Sequence, residues 1–152
     1  MSFRPLTATP RIPFDALAQA IVDRLSADLP ALGFYAFFVP PEDPANQTPL
    51  PFVVVDQMAA ADDSTMSTGA WVVECRISIF SKGYGAKEAT GLMNQILLSL
   101  GREGFPLADE FELEDLEAGN PDLVLDPGDD FLGSLQVGHL PLRFFIKDLS
   151  LE

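Results

Sequence analysis

The side chains able to do chemistry are few and widely spaced. Cys75 is the only cysteine and His139 the only histidine. A thiolate–imidazole nucleophile would need these two distant positions to converge. Cys75, however, falls on the apolar side of the alternating run Trp71, Val73, Cys75, Ile77, Ile79, where a thiol is ordinarily buried and inert. His139 stands just ahead of a second alternating run, the position of a surface or edge residue. No Gly-x-Ser-x-Gly elbow, Walker loop, His-Glu-x-x-His pair or dinucleotide glycine fingerprint occurs. Gly83 and Gly85 precede a helical pattern that could take an anion at its N-terminus, but such glycines commonly make plain turns. No catalytic residue, metal ligand or cofactor is therefore expected.

Carboxylates are the exception to this scarcity. Between Arg102 and Arg143 there is no Lys or Arg, whereas Glu103, Asp109, Glu110, Glu112, Glu114, Asp115, Glu117, Asp122, Asp126, Asp129 and Asp130 all fall inside. Such a stretch can be a solvated acidic face, or a surface that repels or mimics nucleic-acid phosphates. It can also be a calcium or magnesium site around Asp126-Pro127-Gly128-Asp129-Asp130, although that segment lacks the ligand spacing and terminal Glu of an EF-hand loop. Paired carboxylates of a glycosidase would require an aromatic cleft, and Trp71, Tyr35 and Tyr84 all lie outside the segment.

Charge and size restrict the partners. Nine Lys+Arg against 23 Asp+Glu give a net charge of −14 over 152 residues. Phosphate-gripping surfaces and anionic membranes both demand cations, so specific nucleic-acid binding and membrane attachment are excluded as expectations. With 47% hydrophobic residues the chain can nevertheless bury a core, and its length predicts one domain. The first residues lack an apolar signal core and no apolar run reaches about 18 residues, which predicts neither secretion nor membrane spanning.

The elements that must position these groups follow from periodicity. An N-terminal arm over residues 1–12 leads into an amphipathic helix from Phe14 to Leu29, stopped at Pro30. A short strand over Phe34 to Val39 is followed by a proline-rich loop from Pro40 to Pro51. Phe52-Val53-Val54-Val55 is a strand apolar on both faces. A loop from Met58 to Gly69, centred on Asp62-Asp63-Ser64-Thr65, joins it to the strand carrying Val72 to Ser81. A second amphipathic helix runs from Ala86 to Leu100, with Gly101 as its stop. Residues 102–130 have no clear period and are expected to be irregular and acidic, apart from a short strand at Leu123-Val124-Leu125. Leu140, Leu142, Phe144 and Ile146 alternate in a closing strand. The order predicts an α+β fold, a mainly antiparallel or mixed sheet with two helices on one face.

Four stretches carry a family likeness: the helix Phe14 to Leu29, Leu50-Pro51-Phe52-Val53-Val54-Val55, the strand Val72 to Ser81 leading into Ala86 to Leu100, and the closing strand Gly138 to Lys147. In these the chain resembles the tail-terminator (tail-completion) proteins of long-tailed bacteriophages and of prophage-like particles such as gene transfer agents. The resemblance implies a virion protein assembled in the host cytoplasm. It would form a homohexameric ring at the head-proximal end of the tail tube, ending tube growth and joining the head–neck connector, while DNA passes through without specific binding. Its partners would be itself, the tail tube protein and the connector protein, with no enzymatic turnover. Met58, Asp62, Asp63, Thr65 and Met66, with Pro41 and Pro44, are the expected subunit or tube contacts. Glu110, Glu112, Glu114 and Glu117 are the expected channel-lining carboxylates. Another neck component, such as a head-closure or connector adaptor, and a free acidic mimic of DNA are the alternative readings.

Overall fold

In a computed structural model, which describes residues 9–37, 51–64, 68–82, 87–126 and 135–151, the chain order is α1 (Phe14–Asp28), β1 (Gly33–Ala36), β2 (Phe52–Asp62), β3 (Ala70–Lys82), α2 (Lys87–Gly101), β4 (Phe111–Ala118), β5 (Asp122–Asp126) and β6 (Leu135–Asp148). A short 3-10 turn, Leu149–Leu151, follows β6. This is the expected α+β architecture.

Pro13 offers its carbonyl to the Leu17 N–H at 2.9 Å and starts α1. It has no N–H to leave unsatisfied at a helix entry. The strands form one mixed six-stranded sheet in the order β1-β2-β3-β6-β4, with β5 also paired to β6. β1 runs parallel to β2, and the remaining pairings are antiparallel. β4 and β5 lie end to end along the same side of β6. They are separated by residues 119–121 opposite Pro141, whose carbonyl accepts the Gly119 N–H at 2.8 Å. A proline within a sheet belongs where the ladder is interrupted, and Pro141 sits at that break.

Both helices cover one face. Leu17, Ile21 and Leu25 of α1 and Met93, Ile96 and Leu100 of α2 share a core with Val53, Val55, Val73, Cys75, Ile77, Ile79, Leu140, Leu142, Phe144 and Ile146 of the sheet. α2 approaches closely at Gly138, where a Cβ would stand 2.7 Å from Met93 Sδ.

Two expectations need correction, for one reason. The segment 102–130 is not irregular, because it holds β4 and β5. The loop expected from Met58 to Gly69 begins only after Asp62, because β2 continues to that residue. Each strand contains a bulge. Asp56 is the extra residue between Val55 and Gln57 in β2, and Glu114 the extra one between Leu113 and Asp115 in β4. An added residue shifts the period-2 pattern to the opposite parity, so the apolar alternation appears to stop where it only changes phase.

Candidate functional site

The helix-free face of the sheet carries the charged chemistry. Alternation along β3 and β6 sends Glu74, Arg76 and Ser78, and His139, Arg143 and Lys147, away from the core. Across the strands Glu117 pairs with Arg143 and Arg143 with Glu74. The Arg143 guanidinium lies 3.1 Å from Glu74 and 3.8 Å from Glu117. Lys147 Nζ lies 2.8 Å from Glu114, the extra residue of the β4 bulge. The other bulge turns Asp56 onto Arg76 (3.0 Å) and Ser78, whose hydroxyl donates to it at 2.6 Å. A groove of about 400 Å³ runs over this face, lined by Gln57, Glu74, Arg76, Glu117, Gly119 and Arg143.

Ser78, His139 and Asp122 fall in one row across β3, β6 and β5. His139 Nδ1 lies 2.6 Å from Asp122 Oδ1. The row has the composition of a hydrolase triad but not its geometry: Ser78 is only 1% exposed and its hydroxyl proton is committed to Asp56, so no nucleophile is presented. Cys75 does not meet His139 either. It is buried on the helix-facing side opposite Leu142, three residues along β6 and on the other face. Burial, reinforced by Asp56, pushes its thiol up to about 12. Among the described residues no three His, Cys, Asp or Glu side chains come together as a metal-holding group. Asp126 ends β5, while Asp129 and Asp130 lie outside the described residues.

Of the expected contact residues, Met58 is half-buried on the helix-facing side of β2 and packs against the core. Asp62 closes β2 and accepts the Ser64 N–H at 2.8 Å, and the Asp63 N–H donates to the Ala70 carbonyl at 3.0 Å. Thr65, Met66, Pro41 and Pro44 lie outside the described residues, as do Gly83 and Gly85. All four expected carboxylates are exposed. Glu110 sits in the turn before β4 at φ 62°, and Glu112, Glu114 and Glu117 lie on β4. Sequence reasoning missed their cationic partners Arg143 and Lys147, and Arg76 beside Asp56. Their alternation against the apolar residues of β3 and β6 was the available signal.

The arm meets the sheet at one corner. The Arg11 backbone N–H donates to Asp148 at 2.7 Å and its guanidinium lies 2.8 Å from the same carboxylate. That guanidinium also stacks 4.5 Å over Phe111. Trp71 Nε1 donates to the Arg11 carbonyl at 2.8 Å.

Residues 19–137 match the family described as tail completion protein gp17. The chain belongs to that family. As a member of the tail completion family it is a structural component of a virion tail. The fold is similar to a chain in the virion of a native gene transfer agent particle, with a TM-score of 0.68 and 19% identity over 88% of this chain and 96% of that one. The gp17 protein of bacteriophage SPP1 is 18% identical over 88% and 91% of the two chains, with a TM-score of 0.48. No curated protein sequence matches the chain. Among the described residues no helix is long and apolar enough to cross a membrane.

Proposed function

We propose that this tail completion protein forms a closed ring, six copies in the simplest case, on the head-proximal end of the tail tube. There it ends tube growth and offers a surface to the head–neck connector, without catalytic turnover. The observation that carries this reading is the family match over residues 19–137. Its physical logic is that heterologous contacts between copies generate a ring when the rotation closes, whereas an open arrangement would extend into a fibre. A ring that matches the tube on one side only halts its growth.

Asp62 and Asp63 at the end of β2, with Thr65, Met66, Pro41 and Pro44, are assigned to subunit or tube contacts. Met58 contributes there by supporting β2 from the core side. Glu110, Glu112, Glu114 and Glu117 are assigned to the wall of the channel, where a negative potential keeps passing DNA from adhering. The decisive experiment is the solution mass of the purified protein by light scattering, paired with electron-microscope images of the particles. Rings of uniform diameter are expected, and a monomer at high protein concentration would overturn the reading.

A further inference from the structure

The outer edge of the sheet lies beside α2. β4 is paired to β6 on one side, and among the described residues no strand pairs with its other side. A free edge presents backbone N–H and C=O groups as a template for an added strand. α2 does not reach over this edge. Between its C-terminal half and β4 lies a cleft of about 310 Å³, lined by Leu97, Leu100, Leu113 and Leu116. Leu97 and Gly101 also border a second hollow, of about 640 Å³, beside Leu98, whose side chain is 73% exposed. An extended segment lying along β4 would direct alternate side chains into this cleft.

The rim specifies the charge of that segment. Glu103, Glu114 and Asp115 border the cleft, and Asp115 caps the Leu116 N–H at 2.8 Å. The neighbouring cations are already engaged: Arg102 lies 3.2 Å from Asp28, and Arg24 donates to the Ser99 and Glu103 carbonyls. β4 and β5 together carry Glu112, Glu114, Asp115, Glu117, Asp122 and Asp126 and no Lys or Arg. Two copies meeting through this edge would set carboxylates against carboxylates, which is destabilising in directly opposed pairs. The uncharged strand β1, Gly33–Ala36, could not compensate them either.

We infer that the α2–β4 cleft docks an extended segment of a different protein, one that alternates apolar with basic side chains and adds to the sheet as a strand outside β4. The geometry is that of a single subunit, so the inference holds whether or not the ring forms.

The test uses the isotopically labelled full chain and three eight-residue peptides. One alternates Lys with Val and Leu, the second has Glu in place of Lys, and the third is the Lys peptide with alternate backbone N–H groups methylated. The Lys peptide should shift the resonances of Leu97, Leu98, Leu113 and Leu116. The other two should bind at least tenfold more weakly. L98K and E103K alter exposed side chains and should each weaken the Lys peptide at least tenfold while circular dichroism and melting temperature stay unchanged. Equal binding of the Glu peptide, shifts confined to another surface, or concentration-dependent shifts at these leucines without peptide, the mark of a second copy, would each overturn the inference.

Discussion

Replacing Asp148 by Asn probes the corner that ties the N-terminal arm to the sheet. The carboxylate is fully buried by surface area and accepts from the Arg11 N–H (2.7 Å), the Arg11 guanidinium (2.8 Å), the Ser150 N–H (3.0 Å) and the Ser150 hydroxyl (2.6 Å). Asparagine keeps the shape but puts an NH₂ donor where two of these donors converge. Hydrogen bonds to a charged group contribute about 1.5–3 kcal/mol each. The Arg11 side chain is 45% exposed, so water replaces part of what is lost, and the whole change should cost about 2 kcal/mol. For a chain of this size that lowers Tm by roughly 4–8 °C. The pH dependence supplies an independent measure. Burial alone would raise the Asp148 pKa, but the hydrogen bonds from Arg11 and Ser150 outweigh it and hold the carboxyl well below the usual carboxylate range. A depressed folded pKa stabilises the fold above the unfolded value of about 3.9, and that contribution is lost as pH falls from there through the folded value. Urea midpoints measured from pH 7 downward should therefore decline more steeply below about pH 4 in the natural protein than in D148N. Parallel acid profiles with equal Tm would refute the account of this corner.

Three further outcomes follow from the same structure. Phe144 is fully buried at the centre of β6, between Val73 and Leu116, so Phe144→Ala should cost about 3–5 kcal/mol in urea unfolding at unchanged m-value. Because Ala60, Ala61 and Asp62 are paired to Val73, Val72 and Trp71, a deletion that tests the β2–β3 tip must spare them. Exchanging residues 63–69 for Asn-Gly should leave a folded chain whose mass by light scattering is that of the monomer, and intact rings would remove the tip from the subunit contacts. Changing Glu110, Glu112, Glu114 and Glu117 to Gln should raise DNA retention on the assembled particle at low salt. Two of those carboxylates also neutralise Arg143 and Lys147, so the substitutions expose cations besides removing repulsion; unchanged DNA passage and affinity would place the quartet outside the channel.

What was legible in the sequence was whatever kept a single period. α1, α2 and the helix-facing sides of β3 and β6 repeat without interruption, and each was placed to within a few residues. The class of fold follows from them, because two amphipathic helices and a strand pair with one apolar face have few ways to bury both. The open face was harder to see, since its chemistry depends on register. Arg143 and Glu74 are far apart in sequence, and only the β3–β6 ladder sets them opposite one another.

The bulges at Asp56 and Glu114 concealed the rest, and both extra residues carry carboxylates that meet partners on the sheet: Asp56 meets Arg76 and Ser78, and Glu114 meets Lys147. The extra residue at Asp56 changes the parity of β2 and so puts Met58 and Ala60 on the core side. Without the one at Glu114, Leu116 would not return to the core side opposite Phe144. A regular strand through Phe111-Glu112-Leu113-Glu114-Asp115-Leu116 would turn either Leu113 or Leu116 to solvent. The bulge allows β4 to keep both leucines on the helix side while it carries its acids outward. Bulges increase local twist and occur preferentially at sheet edges. The irregularity that makes this acidic stretch look structureless in sequence is therefore what fits it to be the edge of the sheet.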